Sequence, residues 1–283
     1  MVFKAKSECP SMSLSKLCSS AKVSRGGYYK WHKKRSFQLN ADEQLIFEVF
    51  ARGKSKWGSR RVKMYLLREH GLIMNLKKVR RILRSLGLKA TVRRKRNSKF
   101  ILAKEVHRVL PNILQQNFKV EEPDRVYSTD VTHLYYGSSQ RAYLSATKDL
   151  ATREIVYHSV STNTDVALVT QGLKERLQKV SPAKRKNLVI HSDQGAVYTS
   201  KSYRRILSVL NIKQSMSRRG NCLDNAPIES FFGHLKDELN SSSCLTIREL
   251  SAEIDRYIKY YNSQRPQWAL KGKTPIEYRG SIN

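Results

Sequence analysis

Three acids in this chain, Asp130, Asp193 and Glu229, sit where a carboxylate needs an explanation. Asp130 lies inside Ser128-Thr-Asp-Val-Thr132, a segment that reads as a strand, and Asp is depleted in strand interiors. Asp193 follows the apolar run Leu188-Val189-Ile190 and precedes a Gln-Gly turn. That puts it at the carboxyl end of a second strand, a common place for ligand sites in open sheets. A turn or capping role explains it equally well. Glu229 lies one turn into a helix that Asn225 can cap, with Pro227 tolerated in the first turn. A Glu there also gains well under ~1 kcal/mol from the positive helix N-terminus without any further role. Gly233 and Lys236 continue along the same helix edge, one offering close approach and the other a cation for phosphate.

Brought to one point, three carboxylates raise each other's pKa. Divalent cations remove that conflict, and hard oxygen ligands favour Mg²⁺ or Mn²⁺. Two such ions a few ångström apart can activate an attacking oxygen and stabilise a leaving one. The composition supplies a matching substrate. Of 283 residues, 54 are Lys or Arg and 23 are Asp or Glu, a net charge of +31. Such an excess repels itself until a polyanion relieves it. No stretch approaches the roughly 18 apolar residues of a spanning helix, and Met1–Pro10 has no secretory apolar run. Nucleic acid is therefore the expected partner rather than a membrane, and the cytoplasm, against the nucleoid, the expected compartment. The four cysteines form no Cys-x-x-Cys pair and have no zinc spacing, so reduced thiols are expected.

The elements that must position these acids can be read from periodicity. Residues 51–100 hold eighteen Lys/Arg and one acid, Glu69, while every catalytic candidate lies beyond Glu121. Leu14, Leu17, Cys18 and Ala21 recur at helical spacing. Ser24 can cap a helix over 25–34, and a third helix is expected over 41–52. This gives an N-terminal helix-turn-helix-like region, 1–54. A helix-turn-helix domain follows at 55–90: Ser59 capping 60–70, Gly71 ending it, Asn75 capping 76–85, Gly87 stopping it. The outer face of that second helix carries Lys77, Lys78, Arg80, Arg81 and Arg84 with no acid, which suits phosphate contact. A basic linker, 91–120, carries the self-repelling run Arg93, Arg94, Lys95 and Arg96, expected to bind DNA phosphate. From 121 the pattern changes. Strands are expected over 126–136, 142–149 and 154–160, then a helix over 165–179 capped near Thr164. A strand over 187–192, a helix to about 210, a strand over 212–216 and helices over 225–239 and 246–261 complete the chain. Three antiparallel strands followed by alternating helix and strand predict an α/β fold with a mixed sheet covered by helices. From the residues alone, the reading stops at metal-dependent phosphoryl transfer on nucleic acid.

Spacing and wording carry it further. Thirty-five residues separate Asp193 from Glu229, and Lys236 follows seven positions later. With His191-Ser-Asp-Gln-Gly195, the run Ser215 to Phe232, Tyr260-Tyr-Asn-Ser-Gln-Arg-Pro-Gln267 and Pro275-Ile-Glu-Tyr278, the chain resembles bacterial insertion-sequence transposases of the OrfB type, whose catalytic core is retroviral-integrase-like. Val23 to Trp31, Trp57-Gly-Ser-Arg-Arg61 and Lys78 to Leu83 resemble the helix-turn-helix module of the same group. Tyr127 departs from the group's usual Trp and is expected to be a packing change.

The resemblance implies an RNase H-like core of five mixed strands at 121–283, with catalytic, metal-holding Asp130, Asp193 and Glu229. It implies two Mg²⁺ ions, replaceable by Mn²⁺: one held by Asp130 and Asp193, one by Asp130 and Glu229. Lys236 is expected near the scissile phosphate, and Arg60 and Arg61 join the DNA-facing residues. The expected substrate is double-stranded DNA, as terminal inverted repeats and target. Hydrolysis would free a 3′-OH, and strand transfer would follow. An upstream OrfA segment, or an OrfA–OrfB fusion, and a homodimer or higher oligomer on DNA are the expected partners. The alternatives are an RNase H-like nuclease or resolvase without strand transfer, and a non-catalytic DNA-binding repressor. His191 either orients the site or packs at a strand end. Asn221 and Asn225 either position DNA or form a turn and a cap.

Overall fold

The computed structural model describes residues 2, 5, 6, 9, 11–35, 39–91 and 109–282. The basic run Arg93, Arg94, Lys95 and Arg96 lies outside them. Two helices lead the chain, α1 (Leu14–Ser20) and α2 (Arg25–Arg35). Next come α3 (Ala41–Arg52), α4 (Ser59–His70) and α5 (Leu76–Ser85). A capping box between Asn40 and Glu43 starts α3. The Asn75 side chain accepts from the Lys77 amide to start α5, as the sequence predicts. Gly58, not Ser59, is the N-cap of α4; Ser59 is already helical and makes no capping bond. Gly71 ends α4 at φ 62°, a left-handed conformation that costs glycine little. Ile46, Val49 and Phe50 of α3 share one core with Val62, Tyr65 and Leu66 of α4 and Val79, Ile82 and Leu83 of α5. Packing therefore groups α3 with the two helices that follow it.

Beyond residue 109 the chain is a three-layer α/β/α structure. The sheet holds β1 (Val126–Tyr136), β2 (Gln140–Asp149), β3 (Ile155–Ser161), β4 (Val189–Ser192) and β5 (Lys213–Met216) in the order β3-β2-β1-β4-β5. β1–β2 and β2–β3 pair antiparallel, whereas β1–β4 and β4–β5 pair parallel. This is the mixed five-stranded RNase H-like sheet that was expected. One face is covered by α6 (Val166–Thr170), α7 (Leu173–Gln178), α9 (Ala196–Thr199) and α10 (Lys201–Val209). The other is covered by α11 (Ala226–Glu238) and α12 (Ile247–Ser263), whose Phe231, Leu235, Ile254 and Tyr261 pack on Leu144 and Ala146. Short helices α8 (Pro182–Asn187) and α13 (Pro275–Gly280) complete the chain.

The sequence predicts one helix over 165–179. The structure splits it into α6 and α7, because Gly172 at φ 76° breaks the helical path between them. Asp165, not Thr164, provides the cap, accepting from the Leu168 amide at 2.9 Å. The helices α8, α9 and α13 show no apolar period, although Ser181 and Thr274 cap α8 and α13. Each is four to six residues long, too short for an apolar period to register.

Helices α3 to α5 are fastened to the sheet layers through Glu238, the last residue of α11. Arg61 Nη2 of α4 and Arg265 Nη2 donate to its Oε1 at 2.8 and 2.9 Å. Lys56 Nζ donates to its backbone carbonyl at 3.0 Å. The Tyr65 and Tyr260 hydroxyls meet at 3.3 Å, and Arg68 Nη1 donates to Glu277 Oε2 at 2.9 Å. Burial alone would raise the Glu238 carboxyl, but the charges and hydrogen bonds of Arg265 and Arg61 outweigh it and hold the group down to about 2.

Because that value lies below the ordinary 4.5, the stabilisation is complete above 4.5 and is lost as pH falls toward about 2. Glu238→Gln leaves two buried arginines uncompensated, at a cost of about 3–5 kcal/mol. Thermal melts should show a lower Tm for the variant at pH 7 and a difference that shrinks below pH 4. A difference that stays constant with pH would remove the ion pairs as its source.

Candidate active site

Ser128 of β1 pairs with His191 of the parallel strand β4. Two residues further along each chain stand Asp130 and Asp193, which the shared direction and register bring level at the carboxyl end of β4. Parallel pairing is what makes this possible; an antiparallel partner would carry the second acid away. Each aspartate spends one oxygen on backbone. Asp130 Oδ1 accepts from the Val131 amide at 2.8 Å and Asp193 Oδ1 from the Gly195 amide at 2.9 Å. A Cβ at residue 195 would stand 2.9 Å from Asp193 Oδ1, so a larger residue there would push the carboxylate aside.

The helix α11 brings the third carboxylate. It is pinned to β1 at two places. The Ser128 hydroxyl donates to Asn225 Oδ1 at 2.7 Å, and Asn225 Nδ2 donates to the Thr129 carbonyl at 3.3 Å. Two turns past Glu229, the Lys236 ammonium donates to the Thr132 hydroxyl. Glu229 lies between these fastenings and is exposed. Asp130, Asp193 and Glu229 line one cleft of about 330 Å³, together with Gln194, Gly195, Ser217, Arg218, Arg219 and Asn225. The structure thus brings the three predicted acids to one place.

Burial is the main reason the Asp130 carboxyl is pushed up to about 8, and the charges of Asp193 and Glu229 add to it. The Val131 amide and Lys236 pull the other way and do not win. Burial also raises Asp193. Hard oxygen donors that repel one another in a half-buried cleft are the chemistry that a divalent cation stabilises. The donors fit such an ion; their arrangement is not closed around one. Among the described residues, no group of three or more His, Cys, Asp or Glu side chains is set to hold a metal ion as it stands.

Several supporting residues escape the sequence reading. Asp224 is fully buried and accepts from the Arg218 amide and guanidinium, Asn112 Nδ2 and Gln116 Nε2 at 2.8–3.0 Å. Arg218 is the main reason its carboxyl stays well below the usual range. This cluster ties the loop before α11, which walls the cleft, to the segment that precedes the sheet. Lys148 is buried under α11 and donates to the Pro227 carbonyl at 2.9 Å; burial pushes its ammonium down to about 7. No sequence signal separates these from surface Asp and Lys, since their partners lie far away in the chain. His191 is fully buried between the Ser215 and Ser217 hydroxyls, at 2.9 and 3.1 Å, as a packed strand-end residue. Asn221 caps the turn at 222–225, and the Asn225 side chain makes no cap at all. Tyr127 is buried and its hydroxyl donates to Asp124 Oδ1 at 2.5 Å.

The predicted DNA-facing residues divide. Lys77, Arg80, Arg81 and Arg84 project from α5 into solvent. Lys78 is ion-paired with Asp42 of α3. Arg60 is exposed, whereas Arg61 is nearly buried on Glu238, at the joint between the helical module and the core. Lys236 stands on the carboxylate side of α11, bonded to Thr132.

Comparison with known proteins gives matches along most of the chain. Two profiles described as integrase core domain match residues 120–222 and 210–275, and one described as HTH-like domain matches 38–96. A putative transposase for insertion element IS150 of Escherichia coli is 39% identical, the match covering 94% of this chain and 93% of that protein. An IS600 protein of Shigella sonnei is 34% identical over 93% of this chain and 97% of its own. The probable IS1353 transposase of Shigella flexneri is 30% identical over 95% of this chain, but the match spans only 52% of that protein.

The carboxylate conflict has a measurable consequence. A raised Asp130 costs stability as pH rises from 3.8 through about 8, because the unfolded chain ionises first. In EDTA, Asp130→Asn should therefore melt higher than the parent, by an amount that grows from pH 5 to pH 8 and reaches about 2–4 °C per kcal/mol relieved. Mg²⁺ or Mn²⁺ should raise the Tm of the parent and not that of the variant. A variant that melts lower across this range would mean that Asp130 is held by favourable contacts instead.

Proposed function

The chain belongs to the insertion-sequence transposases that carry an integrase core domain, and we propose that it cuts DNA at the ends of its element and joins those ends to new sites. The observation that carries this reading is the convergence of Asp130, Asp193 and Glu229 on one cleft in a strongly basic chain. Asp130 and Asp193 would hold one Mg²⁺ or Mn²⁺ ion and Asp130 and Glu229 a second, an arrangement that activates the attacking oxygen and stabilises the leaving one.

The chain's own residues set the geometry for two in-line displacements. In the first, water attacks the phosphodiester at the element's end, its proton is lost to solvent, and the departing oxygen becomes the 3′-OH of the element. In the second, that 3′-OH attacks a target phosphodiester and displaces a new 3′-OH. No protein nucleophile takes part. Lys236 and the exposed Arg219 supply positive charge beside the carboxylates, to hold phosphates in line, while Arg218 is held by Asp224. A Cβ at Gly233, one turn beyond Glu229, would meet no atom of the chain. That glycine weakens the helix by about 1 kcal/mol, and the space it clears suits DNA lying along α11.

Recognition of the terminal repeats is assigned to α5, through Lys77, Arg80, Arg81 and Arg84, with Lys78 held back by Asp42. An upstream segment is proposed as a partner. Two ends must be cut together, which calls for at least two copies on DNA. Among the described residues no helix is long and apolar enough to cross a membrane.

Asp193→Asn should abolish cleavage and strand transfer on a duplex carrying the element's own end, with binding to that duplex kept within about twofold. Surviving cleavage would refute the carboxylate assignment. A pre-cut end joined to a target duplex by the parent would separate a transposase from a plain nuclease, which yields no joined product. Replacing Arg81 and Arg84 by Gln should flatten the dependence of log affinity on log salt by about 2, near 0.9 for each phosphate no longer neutralised. An unchanged slope would take α5 out of the interface.

A further inference from the structure

A second basic cleft, of about 610 Å³, opens where the helix-turn-helix module meets the core. One wall comes from the start of α4 and from Arg80 of α5. The other comes from Arg153, the end of α11 and the segment 265–269. Arg60, Arg80 and Arg153 are exposed on it, and among the described residues none of the three has a carboxylate partner. The acids of the wall are Asp237 and Glu238, and Glu238 is already neutralised by Arg61 and Arg265. Positive charge is therefore left over after every ion pair is counted. Behind the exposed cations, Arg61 Nη1 is a buried donor that meets no acceptor among the described residues, and Asp237 Oδ1 a buried acceptor that meets no donor.

Trp268 stands at the mouth, 48% exposed. The Arg60 guanidinium lies 5.7 Å and the Lys63 ammonium 5.9 Å from its ring centroid. Cation–π attraction orders a cation without cancelling its charge, as a carboxylate would. Trp268 thus holds two cations in place and leaves both able to meet an anion. The cleft is continuous with α5 through Arg80.

We propose that this cleft is a second grip on duplex DNA: the phosphodiester backbone running from α5 toward the core is held by Arg60, Lys63 and Arg153, with Trp268 as the positioning residue. The proposal rests on the reading that the substrate is DNA, and adds a surface that neither the carboxylate cleft nor the outer face of α5 includes. It explains why the module is fastened rigidly to α11 through Glu238. A backbone that bridges the two bodies can set the distance between the bound repeat and the cut only if they do not move apart.

The test is binding of the full chain to a fluorescent duplex of unrelated sequence across a salt series, with three variants. Arg60→Gln combined with Arg153→Gln should reduce the slope of log affinity against log salt by about 2 and leave Tm at the parental value. Trp268→Ala should weaken binding several-fold although it removes no charge, and Trp268→Phe should restore most of it. Arg81→Gln combined with Arg84→Gln reports on α5 independently. A slope that falls in the α5 variant but not in the Arg60/Arg153 variant overturns the cleft and leaves DNA binding standing. A slope that moves in neither overturns the cleft together with the DNA-binding reading of α5.

Discussion

The parallel pairing of β1 with β4 is the constraint on which the rest depends. It runs two strands in one direction at the middle of the sheet and brings Ser128 opposite His191. Asp130 and Asp193 then emerge side by side with no long side chain having to reach. Parallel neighbours need a crossover, and the chain from β1 to β4 supplies it with a hairpin pair and three short helices. Because a one-residue slip turns every side chain to the opposite face, the buried Tyr127, Leu188 and Ile190 hold the register that the acids need.

The third acid reaches the same place by another device. The apolar stripe of α11, Ile228, Phe231, Phe232 and Leu235, seats the helix on the sheet but does not fix its position along β1. Asn225 and Lys236 do that, bonding residues on either side of Asp130. The same helix ends in Glu238, the point to which Arg61 and Arg265 tie the helical module. One rigid element thus carries Glu229 of the carboxylate cleft at its start and the joint to the helical module at its end. Its rigidity makes the spacing between the module and the carboxylates a property of the fold.

Charge runs through the molecule in two opposite ways. The chain carries a surplus of +31, yet among the described residues no arginine is ion-paired with Asp130 or Asp193. Elsewhere its acids are used as anchors, as with Asp224 under Arg218, Glu238 under Arg265, and Asp124, Asp149 and Glu154 around Arg279. Asp130 and Asp193 stand apart because burial raises both, and the charge of Asp193 raises Asp130 further, in a protein rich in cations. That costs stability, and the cost is the usual mark of a site kept for a ligand rather than for the fold.

Much of this is legible in the sequence, for local reasons. Alternating β-branched residues mark β1 to β3, the apolar period marks α3, α4, α5 and α11, and Asn75 and Gly71 mark their helix ends. The acids stand out because a strand interior and a strand end are unusual places for Asp. The breaks escape notice where one residue decides, as at Gly172, or where an element is too short to show a period. Tertiary structure alone decided which polar residues support the site. Asn225 looks like a cap and is a strut; Arg61 looks like a DNA contact and is a joint; Lys148 and Asp224 look like surface charges and are buried. Sequence by itself determined the elements and the identity of the three acids, since both follow from neighbours along the chain. Where the acids meet, which cations stay exposed and what clefts lie between the layers depend on partners up to 209 residues apart, and only packing brings those together.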